Sequence, residues 1–253
     1  MWSTPLFLLL VTTSLIALWI GVPRQVRAIG QLRGIPVDRL RGSVAISVVQ
    51  NLIFAIIAII LGILFGRQVG LPAPAFEAIA SGNSPWRALW EQIVPATLIG
   101  VVAAFLLIAL YYGIFRPRIE REIVALTEYL RLEMGLLTRV LMGGVYEEIL
   151  YRWGLMGLFA WIGTKLMGTT TPAVMWGSNL VAAILFGLAH LPGAAALGFR
   201  PPRTLVSMSL TINIVGGMVF GWLFWRYGLF AAMLAHALFH IIFLPFERYF
   251  IDR

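Results

Sequence analysis

Long apolar runs broken by short arginine-bearing segments set the pattern of this chain. A helix needs roughly 20 mostly apolar residues to cross the hydrocarbon core of a bilayer. Runs that meet or approach that length are Pro5–Val22, Ala45–Phe65, Ile93–Phe115, Leu136–Ile162, Ala173–His190, Leu205–Trp225 and Gly228–Pro245. The fifth and the seventh are short, and seven spans place the two termini on opposite faces. Gly66–Glu91 holds Pro72, Pro74, Pro85 and several small residues, which predicts an irregular loop. From Arg116 to Leu137 the pattern changes. Ile119, Ile123, Leu126, Leu130, Met134 and Leu137 recur at helical spacing, with charges of both signs between them. That predicts an amphipathic helix, lying on the membrane interface or extending the fourth span as one long helix. The expected fold is all-α, a polytopic transmembrane helical bundle of about seven spans (six to eight) with an amphipathic interfacial helix. Residues 1–115 would supply N-terminal transmembrane helices and 116–253 a motif-bearing core, within a single membrane domain.

Composition agrees with lipid as the main solvent. Of 253 residues, 60% are hydrophobic and 12% charged, too little charge to cover a soluble domain of this size. Cysteine is absent, which excludes thiol catalysis, disulfides and thiolate metal sites. The N-terminus lacks the basic region of a signal peptide, so its apolar run reads as a retained span. A net charge of +8 would raise nucleic acid as a partner of a soluble protein. In a bilayer the question becomes which side the basic residues occupy, and no nucleic-acid partner is expected. Under seven spans, Arg24, Arg27, Arg33, Arg39, Arg41, Arg116, Arg118, Arg121, Arg131, Arg139, Arg200, Arg203, Arg248 and Arg253 fall on one face. Arg67, Arg87, Lys165 and Arg226 fall on the other. The positive-inside rule makes the first face cytoplasmic, with the N-terminus outside and the C-terminus inside. A plasma (inner) membrane is the expected location.

Arg152 lies within a span, and it has company. A charge at the bilayer centre costs roughly 2.5–3.5 kcal/mol on insertion scales, so such residues are usually paired and functional. The fourth span contains Glu147, Glu148 and Arg152; the fifth ends on Phe186 and His190; the seventh contains His236 and His240. These are the chain's three histidines. On an α-helix Glu148 and Arg152 share a face and can pair, whereas Glu147 points about 100° away and stays available for proton transfer. His236 and His240 also share a face. In the orientation above, all of these residues fall in the cytoplasmic half of the membrane, which favours one shared site over three unrelated polar positions. A Glu beside a neutral His can bind water and take its proton, and hydrogen-bond donors opposite can hold an oxyanion. Three His and two Glu could instead bind a divalent metal; Glu147, His190 and His236 would then be the ligands, with zinc the suited ion. His236-Ala237-Leu238-Phe239-His240 has Ala where a zincin helix carries its Glu. Without a metal no cofactor is expected.

The three motifs, Glu147-Glu148-x-x-x-Arg152, Phe186-x-x-x-His190 and His236-x-x-x-His240, in this order on separate apolar helices, resemble those of the CPBP family. These are the CAAX-processing and bacteriocin-processing intramembrane proteases, also called the Abi or Rce1-type family. The resemblance covers roughly residues 136–245. It implies a glutamic endopeptidase acting on a membrane-associated or lipidated peptide. Glu147 and His190 would activate water, Glu148 and Arg152 would pair and shape the site, and His236 and His240 would form the oxyanion site. Two positions depart from the commonest pattern: His240 stands where Asn is expected, and Trp153 where a small residue is often found. The competing readings are a non-catalytic scaffold or immunity-type protein of the same fold, and a proton-coupled transporter using the same buried acids. A transporter would need polar residues lining a path to both faces, and outside the site the spans offer only scattered groups such as Asn51, Asn179 and Asn213.

Overall fold

The computed structural model describes residues 2–191 and 201–250; Arg200 and Arg253, counted above for orientation, lie outside these. Every regular element among the described residues is helical. The helices are α1 (Thr4–Leu32), α2 (Arg41–Leu64), the short α3 (Pro74–Ala80), α4 (Trp86–Ala109) and α5 (Arg121–Arg139). After them come α6 (residues 140–167), α7 (Pro172–Ala189), α8 (Arg203–Tyr227) and α9 (Leu229–Phe250). Helix starts are set by local chemistry: Ser3 caps α1 through Leu6 N, and Thr171 caps α7 through Val174 N with Pro172 at its first turn.

Six of these helical runs are long and apolar enough to cross a membrane. The remaining expected span, the fourth, is the α6 run, which carries Glu147, Glu148 and Arg152. Side chains such as Trp19, Ile46, Leu98 and Val102 stay exposed along the spans, an apolar outer surface that only lipid would cover at low cost. The chain is thus an integral, multi-pass membrane protein. Inside, Leu10, Leu18, Ile59, Ile63, Ile149, Trp153, Phe220 and Phe224 join α1, α2, α6 and α8 in one core. The glycines Gly217 and Gly221 let α8 close on Ala183 and Asn179 of α7.

Three sequence expectations change. The Gly66–Glu91 loop is partly ordered: it holds a 3₁₀ turn (Gly66–Val69) and α3. The last helix does not stop at Pro245 but runs to Phe250. The amphipathic segment and the fourth span are not one continuous helix, because Gly135 breaks the path with φ 73° and ψ 158°, a conformation that favours glycine. The segment before Gly135 is tied to the chain that follows α4 and, through Arg116, to the end of α9. Glu128 accepts hydrogen bonds from Tyr111 and Arg116, and Arg116 also donates to the Phe250 carbonyl.

Candidate active site

The helix that bears the acids is wound unusually. Val140–Glu147 and Ile149–Met156 make hydrogen bonds of the π type, reaching five residues back. Such segments are rare and concentrate at functional sites. The α-helical spacing assumed from sequence is therefore not the local geometry, yet the division of labour between the two acids persists. Glu148 is fully buried and pairs with Arg152, Oε2 to Nε 3.1 Å. The alignment misses hydrogen-bond geometry, so this is charge pairing rather than a directed bond. The Arg152 guanidinium also lies 4.8 Å over the Phe186 ring, a cation–π contact.

The structure adds a bond that helical spacing within one segment cannot show. The other Glu148 oxygen accepts from His236 Nδ1 at 2.8 Å. One buried carboxylate thus joins Arg152 of α6 to His236 of α9. His236 is held further by stacking on Phe220 (4.6 Å, 17°) and on His240 (5.1 Å, 28°). With Nδ1–H committed to Glu148, the second ring nitrogen is the one left for chemistry.

Glu147 points elsewhere. Its Oε1 lies 3.9 Å from His190 Nε2, and both side chains are part-exposed, at 24% and 33%. His190 Nδ1 lies 2.8 Å from the Phe186 carbonyl oxygen, which only accepts, so Nδ1 carries the hydrogen and neutral Nε2 presents a lone pair. The Phe186 ring meets His190 edge-on at 4.7 Å and His236 at 5.9 Å. Phe186 is therefore the apolar hub between the two halves of the site.

All seven motif residues come together around this hub. A family model described as "Type II CAAX prenyl endopeptidase Rce1-like" matches residues 131–242. Over this segment the chain is similar to the Rce1-like CAAX proteases. Neither a curated protein nor a solved structure matches the chain. The matched segment contains all three motifs and all of the contacts above.

The Rce1-like site also depends on residues that motif reading missed. A Cβ on Gly143 would fall 2.5 Å from His240 Nε2 and 3.1 Å from His236 Nε2, so both imidazoles reach α6 only because that position is bare. The Gly143-Gly144 pair just before Tyr146-Glu147-Glu148 was the signal available in the sequence. Tyr146 anchors the acid-bearing turn to α2 by donating to Asn51 Oδ1 at 2.9 Å. Trp153, the departure from the commonest pattern, donates to the Ile59 carbonyl at 3.3 Å. Its ring lies against Gly62, where a Cβ would sit 2.2 Å from Nε1. The bulk of Trp153 is thus taken up by α2. Asn179 donates to the Met218 carbonyl and Asn213 to that of Ser209. These amides are bound to backbone, as is usual for buried polar groups.

For a metal, the donor set must converge on one point. Among the described residues no three His, Asp or Glu side chains gather in that way, and no step is routed through an ion.

Proposed function

We propose that the chain is a glutamic endopeptidase that cuts a peptide bond of a membrane-associated or lipidated substrate without a covalent intermediate. The carrying observation is the Glu147–His190 pair. Ionised Glu147 Oε1 and neutral His190 Nε2 are both acceptors, facing each other across 3.9 Å, too far for a direct bond. A water placed between them can donate to each. Glu147 takes a proton as the water oxygen attacks the scissile carbonyl, and the departing amine receives that proton when the tetrahedral intermediate collapses. His236 and His240 supply the oxyanion site. Because His236 Nδ1–H is bound to Glu148, the ring donates from Nε2 only as imidazolium. Glu148 and Arg152 shape the site, and the active residues sit in the cytoplasmic half of an inner membrane.

The test is cleavage of a fluorogenic peptide with a farnesylated C-terminal Cys-a-a-X tail by purified protein in liposomes. Glu147→Gln is expected to abolish turnover with the thermal midpoint unchanged, and a chelator is expected to leave the wild-type rate intact. Wild-type turnover by the variant would remove Glu147 from its role. Full biological complementation by a protein lacking both Glu147 and His190 would favour a scaffold instead.

A further inference from the structure

Beyond the motifs, α6 and α9 are joined at a third level. Reading up the antiparallel pair, Glu148 meets His236, Gly143 meets His240, and Arg139 meets Glu247. His236, His240, Phe243 and Glu247 are spaced four, three and four residues apart, one face of a helix. Glu247 is fully buried, and its two carboxylate oxygens serve arginines on opposite sides of the Gly135 break. Oε2 accepts from Arg139, at the start of the acid-bearing helix, and Oε1 accepts from Arg131 at 2.5 Å. Arg131 belongs to the amphipathic helix beyond the Gly135 break and also donates to Tyr111 of the third span.

We propose that Glu247 is a positioning residue. Its carboxylate fixes the axial register of the histidine helix on the glutamate helix through Arg139, and it ties the amphipathic helix to the same point through Arg131. The geometry favours a register device over a diffuse charge contact because one carboxylate faces two guanidiniums on two sides of a glycine break. A neutral amide offers one acceptor and turns donors toward the other cation. Slippage at this rung moves His236 and His240 against Glu148 and Gly143, since α9 stays helical through Pro245, which lies between them and Glu247. Glu247 lies outside the family match, which ends at residue 242.

The absence of cysteine allows register to be read without catalysis. A Cβ at Gly144 lies 3.0 Å from Ala237 Cβ, close enough for a disulfide with a small adjustment. The protein carrying Gly144→Cys and Ala237→Cys is oxidised in liposomes, and the rate of internal cross-linking is followed. Adding Glu247→Gln is expected to slow it about tenfold, with Glu247→Asp recovering most of the loss. In the cysteine-free protein, kcat on the farnesylated peptide should fall about a hundredfold for Glu247→Gln with KM nearly unchanged, as a displacement of about 1 Å would cause. Cross-linking within twofold of the parent in Glu247→Gln overturns the proposal. If that variant is not recovered folded, Arg131→Gln decides: slowing of about threefold supports the clamp, and an unchanged rate overturns it. The kinetic arm rests on the protease reading; the cross-linking arm does not, so a parent that cuts no peptide leaves the register question answerable.

Discussion

Two adjacent carboxylates, Glu147 and Glu148, have opposite surroundings. Glu148 is sealed between a guanidinium and an imidazole, and removing it would leave Arg152 buried without its counter-charge, a loss of about 3–5 kcal/mol for pairs of this kind. Glu147 has no such partner and remains part-exposed beside His190. His240 is the residue whose chemistry is most particular to this chain. Its Nδ1 is buried with no hydrogen-bond partner among the described residues, while Nε2 approaches Gly143. If the ring donates to an oxyanion, His240→Asn should keep measurable turnover, because an amide also donates. His240→Leu should lower kcat by about 10²–10³, the usual cost of losing one such donor. Equal rates for the Leu variant and wild type would remove His240 from the oxyanion site.

At the scale of elements, the π-wound stretch of α6 and the bare Gly143 act together. The winding alters which side chains face α9, and the missing Cβ lets both imidazoles approach the helix surface. Gly143→Ala should therefore act through displacement of His240 and His236, not through unfolding. The expected result is a fall in kcat of about a hundredfold, with folded protein recovered in normal yield and circular dichroism unchanged. Normal turnover by the variant would show that His240 need not lie where it does. On the other side of α6, Trp153 in the notch at Gly62 and Tyr146 on Asn51 fasten the same helix to α2. The acid-bearing helix is thus gripped from both flanks, while Gly135 separates it from the amphipathic segment before it.

For the whole molecule, the arginine distribution makes a claim that is independent of the site. Arg39, in the 3₁₀ turn before α2, and Arg87, in the first turn of α4, are both exposed and fall on opposite faces in the seven-span reading. In intact spheroplasts a membrane-impermeant thiol reagent should label the Arg87→Cys protein. The Arg39→Cys protein should be labelled only after permeabilisation. The reverse pattern would invert the orientation and move the site to the outer half. The buried cations Arg131 and Arg139 do not bear on this test, since Glu247 neutralises part of their charge inside the bundle.

Membrane residence, the approximate place of the spans and the ionisable residues within them were legible in the sequence because each depends on local quantities. Apolar run length sets a span, and an ionisable residue within such a run stands out against it. The Glu148–Arg152 pair was legible for the same reason, being one turn of one helix. The site's wiring was not. That Glu148 also holds His236, that Gly143 makes room for two imidazoles, and that Glu247 links three elements are contacts between segments about a hundred residues apart. Spacing along a chain carries no information about which faces of two distant helices will meet. The π winding of α6 was not legible either, since the apolar pattern alone predicted an ordinary α-helix. Sequence determined which residues could do chemistry; tertiary packing decided which of them touch.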